Sequence, residues 1–191
     1  METLTVETDV LFTVEDWEEL FLYGDDNRYE LIEGELFVST APRFIHQLLI
    51  TRLTGNLSKY LKQNPMGEVL AAPGVIFDKN DAVIPDAIFI SHQRIKQFLI
   101  NDKIQGSPEL VIEVLSPGKS NIERDRKTKL KLYSRYPVEE YWIVDPMRKQ
   151  IEIFRSTPHG LRPAEIFNEQ DVLISSLFPD FSLSLTELFR N

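Results

Sequence analysis

Two acidic side chains interrupt segments otherwise as apolar as buried strands: Asp86 in AVIPDAIFI and Glu113 in PELVIEVLSP. An unpaired ionised carboxylate in such a place costs several kcal/mol even after relaxation, so a chain keeps one where it meets a cation or holds a metal. Side chains alternate along a strand, so Glu113 shares a face with Val111 and Leu115 while Leu110, Ile112 and Val114 occupy the other. Downstream, Ile122, Asp125, Lys129, Leu132, Tyr133 and Tyr136 fall on one stripe at helical spacing, and Asp125 and Lys129 have no place there unless something polar lies opposite. Two strand carboxylates and an inward lysine are the parts of a divalent-metal hydrolytic site. Asp86 and Glu113 would hold Mg²⁺, or Mn²⁺, through oxygen, and Lys129 would neutralise developing charge or hold the attacking water.

Each residue also has a plainer reading. Asp86 can open a strand at a solvated end, Glu113 can pair with an arginine, and Lys129 can snorkel or bridge to Asp125. His46 falls on the buried side of the long helix from about 42 to 62, one turn before Leu49; it is a metal ligand, a water-orienting group or a satisfied core histidine. Glu30, in RYELIEGE, either closes the acidic cluster or pairs with Arg28. His92 and His159 sit in loop-like contexts and carry no signal.

The elements that must position these groups follow from periodicity and breakers. Thr13 caps a short helix through WEELFL, which GDDN (24–27) ends. RYELI and ELFVS alternate around Glu33-Gly34 as a hairpin, strands 28–32 and 35–39. After the long helix come GEVLAAPGVIFD, AVIPDAIFI, a short helix opened by Ser91, LVIEVL, a helix over 121–136, two strands EEYWIVDP and KQIEIFRS about a turn at 146–148, then a short strand and a terminal helix. The expected architecture is α/β (α+β): a mixed sheet flanked by helices, in one domain over 1–191. Residues 1–40 form an acidic helix-hairpin embellishment, 41–155 the core, and 156–191 a last strand and helix.

Composition bounds the partners. With 191 residues, 42% apolar and 27% charged, the chain is ordinary for a globular protein. It has no cysteine, which excludes thiol catalysis and Cys-ligated zinc. No signal peptide or bilayer-spanning run is apparent, so a cytoplasmic location and no membrane partner are expected. The net charge is −9, but residues 1–35 hold 12 acids and one base, whereas Lys119 to Arg135 holds seven bases against Glu123 and Asp125. That patch is either a phosphate-binding surface, with Lys127 and Lys131 outward, or a solvated helix face.

RYELIEGELFV, the 42–47 segment ending in HQ, IPDAIFIS, PELVIEVLSP, DRKTKLKLY and VEEYWIVDP, in this order, resemble the Uma2 (DUF820-like) family of restriction-endonuclease-like proteins. The resemblance runs from about Thr13 to the C-terminus. It implies the PD-(D/E)XK nuclease fold, in which a mixed sheet presents an Asp, a Glu and a Lys to Mg²⁺. Pro85-Asp86 would be the PD element and Glu113 the second acid. The superfamily pattern then puts lysine at position 115, which here is Leu115; the Uma2-like D-x3-K-x3-Y run, Asp125, Lys129 and Tyr133, moves it to the following helix. Glu30 and His46 match positions that the family keeps polar. The expected function is Mg²⁺-dependent cleavage of DNA, the alternative a catalytically silent nuclease-fold module that binds nucleic acid or protein. A homodimer is expected, with Trp142 and Phe154 as exposed interface aromatics.

Overall fold

The computed structural model describes residues 3–5, 11–20 and 27–190. The expected end of the first helix (Phe21, Leu22) and the break at 24–26 lie outside these. In chain order, β1 (Thr3–Thr5) precedes α1 (Val14–Leu20) and the hairpin β2 (Arg28–Ile32), β3 (Glu35–Ser39). Helix α2 (Phe44–Gln63) leads into β4 (Gly67–Ala71), β5 (Val75–Asp78), β6 (Asp81–Val83) and β7 (Ala87–Ser91). Then follow α3 (His92–Phe98), β8 (Leu99–Ile100), β9 (Lys103–Gln105) and β10 (Leu110–Val114). A continuous helical stretch is built of α4 (Lys119–Glu123), a π-helical segment Arg124–Lys129, and α5 (Leu130–Arg135). The chain closes with β11 (Glu140–Asp145), β12 (Gln150–Thr157), β13 (Gly160–Asn168), β14 (Val172–Leu173), β15 (Leu183–Ser184) and α6 (Leu185–Leu188).

Among the described residues the strands form two large sheets where one was expected. Their orders are β1-β3-β2-β6-β5-β9-β8 and β13-β12-β11-β10-β7-β4, with β14 and β15 paired separately. The predicted hairpin has the predicted strands; Glu33 and Gly34 take φ of 54° and 79°, the left-handed turn whose twist suits a two-residue hairpin. Strand β10 runs parallel to β11 and antiparallel to β7. A parallel neighbour needs a crossover, and the helical stretch 119–135 supplies it, which carries Lys129 back over the sheet.

The continuous apolar run of β10 reflects burial on both faces. Leu110, Ile112 and Val114 pack with Leu49, Leu53 and Leu57 of α2. Val111 and Leu115 pack with Leu132 and Tyr133, and with Ile32, Val75 and Val83 of the other large sheet. Helix α1 lays Trp17 against Leu31, Leu36 and Ala82. Among the described residues no helix is long and apolar enough to cross a membrane.

Two expectations are corrected. Trp142 is 0% exposed and Phe154 8%, so neither offers an interface; β11 lies between β10 and β12, and its aromatics fill the core. The C-terminal region contains a nine-residue strand, β13, that its sequence conceals. GLRPAEIFN is polar and holds Pro163, because β13 is an edge strand paired to β12 across a register shift at Ile153/Phe154, where proline is tolerated.

Two glycines should respond oppositely to alanine. A Cβ at Gly67 would run into the Ile90 carbonyl oxygen, whereas one at Gly55, inside α2, meets nothing within 4 Å. Thermal melts should show Gly67→Ala destabilised by about 1–3 kcal/mol and Gly55→Ala stabilised by about 0.5–1 kcal/mol, each kcal/mol moving Tm by about 2–4 °C at this size.

Candidate functional site

Register brings the two strand acids together. Ile112 stands opposite Ala87, so one step further along the antiparallel pair sets Asp86, just before β7, beside Glu113. The Val114 amide donates to Asp86 Oδ2 at 2.8 Å, which fastens the carboxylate to the end of β10. Arg28, the first residue of β2, donates from Nη1 to Asp86 Oδ1 at 3.1 Å. From the first turn of α2, His46 sets Nε2 3.0 Å from Asp86 Oδ2.

On the other side, Glu113 Oε1 accepts from Lys129 Nζ and from the Tyr133 hydroxyl, both at 2.8 Å. Lys129 Nζ also donates to Glu30 Oε1 at 2.9 Å, and that oxygen takes the Ile84 amide at 3.1 Å. Lys129 is 1% exposed, Asp125 1%, Glu30 and Glu113 2% each, His46 3% and Asp86 4%. All five candidates and Asp125 therefore belong to one buried ionic cluster drawn from β2, α2, the approach to β7, β10 and the π-helical segment.

Sequence reasoning missed Arg124. Its Nε donates to Asp125 Oδ1 at 3.1 Å, and its Nη1 lies 3.9 Å from Glu30 Oε2. In a regular α-helix two consecutive residues cannot both point into the core with Lys129. The π-helical segment, with its i to i+5 bonding, widens the turn and turns Arg124, Asp125 and Lys129 inward together. The same phase change corrects the expected stripe: Ile122 is 37% exposed and Asn121 is buried in its place. Helical periodicity alone carries no signal for this.

The two strand acids titrate in opposite directions. Burial pushes Asp86 up, but His46, Arg28 and Lys129 outweigh it and hold the carboxyl well below the usual range. Burial pushes Glu113 up to about 8, with Asp86, Asp125 and Glu30 adding to the rise against Lys129. Glu30 is lowered despite burial by Lys129, Arg124 and Arg28. Burial lowers Lys129, yet Glu113 and Glu30 more than offset it and keep the ammonium charged.

Among the described residues no group of three or more His, Asp or Glu side chains closes around a common point. A Mg²⁺ ion does not require one, since it commonly keeps several waters and takes one or two carboxylates plus substrate oxygens. The donor set of Asp86 and Glu113 fits that description. Glu113 Oε2 takes none of the hydrogen bonds that hold Oε1, and the raised Glu113 reflects burial first and the neighbouring acids second, both of which a cation would offset.

The basic patch is largely spent on acids. Arg126 pairs with Glu152, Lys127 with Glu123, Lys131 with Glu33, and Arg135 with Glu33 and Asp81. Among the described residues, Lys119 at the start of α4 and exposed Arg43 before α2 are cations without an acidic partner.

Comparison with known proteins adds three findings. The sequence model of the Uma2 family, described as "Putative restriction endonuclease", matches residues 14–186. The fold is similar to a solved structure of a "putative nuclease belonging to DUF820" from Anabaena variabilis ATCC 29413, with a TM-score of 0.70, 17% sequence identity, and coverage of 84% of this chain and 89% of that one. No curated protein matches significantly.

The raised Glu113 has a consequence for stability. An acid whose folded pKa exceeds its unfolded value contributes stability fully present below the unfolded value, here 4.5, and lost as pH rises through the folded one, about 8. Asp86 and Glu30, which are lowered, act at more acidic pH in the opposite sense. In EDTA, Tm should therefore fall between about pH 5 and pH 8, and Glu113→Gln should flatten that slope. A parent and variant with parallel profiles would count against a strained Glu113.

Proposed function

From the premise that this chain belongs to the Uma2 family of restriction-endonuclease-like proteins, we propose that it is a Mg²⁺-dependent endonuclease that hydrolyses DNA phosphodiesters. The observation that carries this reading is the Lys129 ammonium, buried between Glu30 and Glu113 and near enough to Asp86 for its charge to lower that acid. Asp86 and Glu113 would hold the cation, with Mn²⁺ as a substitute. When bound, it supplies the charge that polarises a phosphoryl oxygen and lowers the pKa of a water.

The chain's own groups divide the remaining work. Tyr133 and Lys129 orient Glu113 through Oε1, and the Val114 amide orients Asp86. Glu30 keeps the Lys129 amine in place, so that its charge is preorganised where negative charge develops on the phosphoryl group. Asp125 pairs with Arg124, which limits the repulsion among four buried carboxylates. His46 sits against Asp86 and helps to keep that carboxylate ionised.

A supercoiled-plasmid nicking assay tests the reading. With Mg²⁺ the parent should relax the plasmid and EDTA should abolish this. Asp86→Asn and Lys129→Met should lose about 10²–10³ in rate while remaining folded by circular dichroism; methionine keeps the length of the lysine stem but removes its charge. Variants as active as the parent would remove these residues from the mechanism. A parent that cuts neither DNA nor RNA would favour the catalytically silent module, a reading to which the acid-paired basic patch lends support. Sedimentation decides the homodimer that double-strand cutting calls for; a monomer at micromolar concentration would favour nicking.

Binding is expected to depend on unpaired cations, among them the two at helix starts. Arg43→Gln with Lys119→Gln should weaken duplex affinity and flatten the log-log salt slope by about 0.9 for each phosphate no longer neutralised. Lys127→Gln and Lys131→Gln should change less, since each lysine already spends its charge on a glutamate.

A further inference from the structure

One end of the six-stranded sheet is unfinished. Strand β4 is its last member, pairing with β7 on one side and, among the described residues, with no strand on the other. Two backbone bonds fix which of its groups are spent. The Ala72 amide donates to the Asp86 carbonyl at 3.0 Å and the His92 amide to the Met66 carbonyl at 3.1 Å, so residues 66, 68, 70 and 72 turn their backbone groups toward β7. By the alternation of an antiparallel ladder, Gly67, Val69 and Ala71 turn theirs outward. Among the described residues no other backbone segment takes up those outward groups.

The opposite end of the same sheet is guarded. Strand β13 is polar, holds Pro163 and meets β12 across a register shift, features that keep an edge from pairing with another chain. Strand β4, GEVLA, has no proline, a single charge and an unshifted register with β7. Beside its start, Ser58, Leu61, Lys62, Pro65 and Val69 line a cavity of about 290 Å³. Its other end lies by the start of α2, since His46 and Ala72 both reach Asp86. There Phe44, the first residue of α2, is 80% exposed. It shares a side of the helix with Thr51, Ser58 and Lys62, at steps of seven, seven and four residues.

We propose that β4 pairs with β4 of a second copy of this chain, antiparallel about a two-fold axis at Val69, and that each copy seats its Phe44 in the other's cavity. The register is self-complementary. Val69 meets its own counterpart in a hydrogen-bonded pair, and Gly67 of each copy meets Ala71 of the other in two more, so the outward groups of both edges satisfy one another. Glu68 then stands opposite Leu70 of the other copy, which avoids a direct pairing of like charges. The same axis carries the start of each α2 toward the end of the other, Phe44 toward the cavity. This interface takes the place of the one expected at Trp142 and Phe154. It also sets the two candidate sites, each at the C-terminal end of its β4, at opposite ends of the joined sheet.

The chain has no cysteine, so introduced cysteines report the register. In the proposed ladder positions 68 and 70 form a non-hydrogen-bonded pair with Cα atoms about 4.5 Å apart, within disulfide reach. Two copies of position 68 lie on a diagonal, about 7–8 Å apart, which is beyond it. Glu68→Cys and Leu70→Cys proteins, altered at exposed positions, are mixed, left to exchange and mildly oxidised. The mixture should give several times more cross-linked dimer on non-reducing gels than either protein alone. In sedimentation the parent should be a dimer at micromolar concentration. Phe44→Ala should raise the dimer dissociation constant by about 10–100-fold, as expected for loss of an aromatic anchor. Met147→Ala, equally exposed at 84% but in the turn after β11, should match the parent.

A parent that stays monomeric at micromolar concentration would overturn the proposal and leave the β4 edge to an extended segment of some other chain. A dimer whose mixed cysteine variants cross-link no better than each alone would overturn it as well, by placing the interface elsewhere. A dimer that cross-links as expected but is unmoved by Phe44→Ala would uphold the strand pairing and overturn the seating of Phe44. Both readouts are of mass, so they stand apart from the nuclease reading. A cross-linking dimer that cuts nothing upholds the interface while that reading falls, and a monomer that cuts does the reverse.

Discussion

The Lys129 ammonium is buried and must be compensated by acids, and the arrangement of the core follows from that. Its Nζ donates to Glu30 on one side and Glu113 on the other, so three segments far apart in sequence must meet at one point. Strand β2 belongs to one large sheet, β10 to the other, and the π-helical segment, part of the crossover from β10 to β11, reaches an acid in each. Breaking a buried pair by removing one member costs about 3–5 kcal/mol, because a charge is left without compensation. The two sheets and the crossover helix are thus joined by an ionic contact as well as by the apolar packing of Val111, Leu132 and Tyr133.

That contact is part of a larger buried cluster, in which burial and neighbouring charges set the acids apart in proton affinity. Four buried carboxylates meet Lys129, Arg124 and Arg28 with His46 at their edge. The environments separate Asp86 from Glu113. Asp86 is anchored by a backbone amide and an arginine and stays ionised, whereas Glu113 is driven upward by burial and by its fellow acids. Pairs of acids whose surroundings push them apart in this way are a recurring mark of hydrolytic sites.

Outside the cluster, charge is organised to limit attraction. The helix that looks basic in one dimension is stitched to Glu33, Asp81, Glu123 and Glu152, and surface pairs of this kind contribute little stability while cancelling the local field. Among the described residues, cations without an acidic partner include Arg43 and Lys119 at helix starts and Lys59, Lys62, Lys79, Lys96 and Arg162 elsewhere, so attraction for a polyanion is left to scattered local charges. A protein with net charge −9 that meets nucleic acid must do so through such local features.

Much of the framework was legible in the chain. The alternation about Glu33-Gly34 dictated the hairpin, because a two-residue turn with both residues at positive φ leaves little choice of register. The unbroken apolar run of LVIEVL required a strand buried on both faces, and a carboxylate inside it required a partner. Ser91 opens α3 as its type suggests, accepting from the Arg94 amide. What the chain could not express is anything set by packing between distant segments. That Arg28 and His46 meet at Asp86, and that Glu30 shares the lysine with Glu113, depends on how the sheets and α2 come together. Arg124 turns inward because the helix widens into a π turn, a local change of period that residue spacing cannot announce. Trp142 is buried because α2 and Phe178 cover its face of the sheet, and Phe154 because Tyr133 and Tyr141 cover the other. Sequence periodicity reports which face of an element is apolar; only the tertiary structure decides which elements those faces, and the charges among them, will meet.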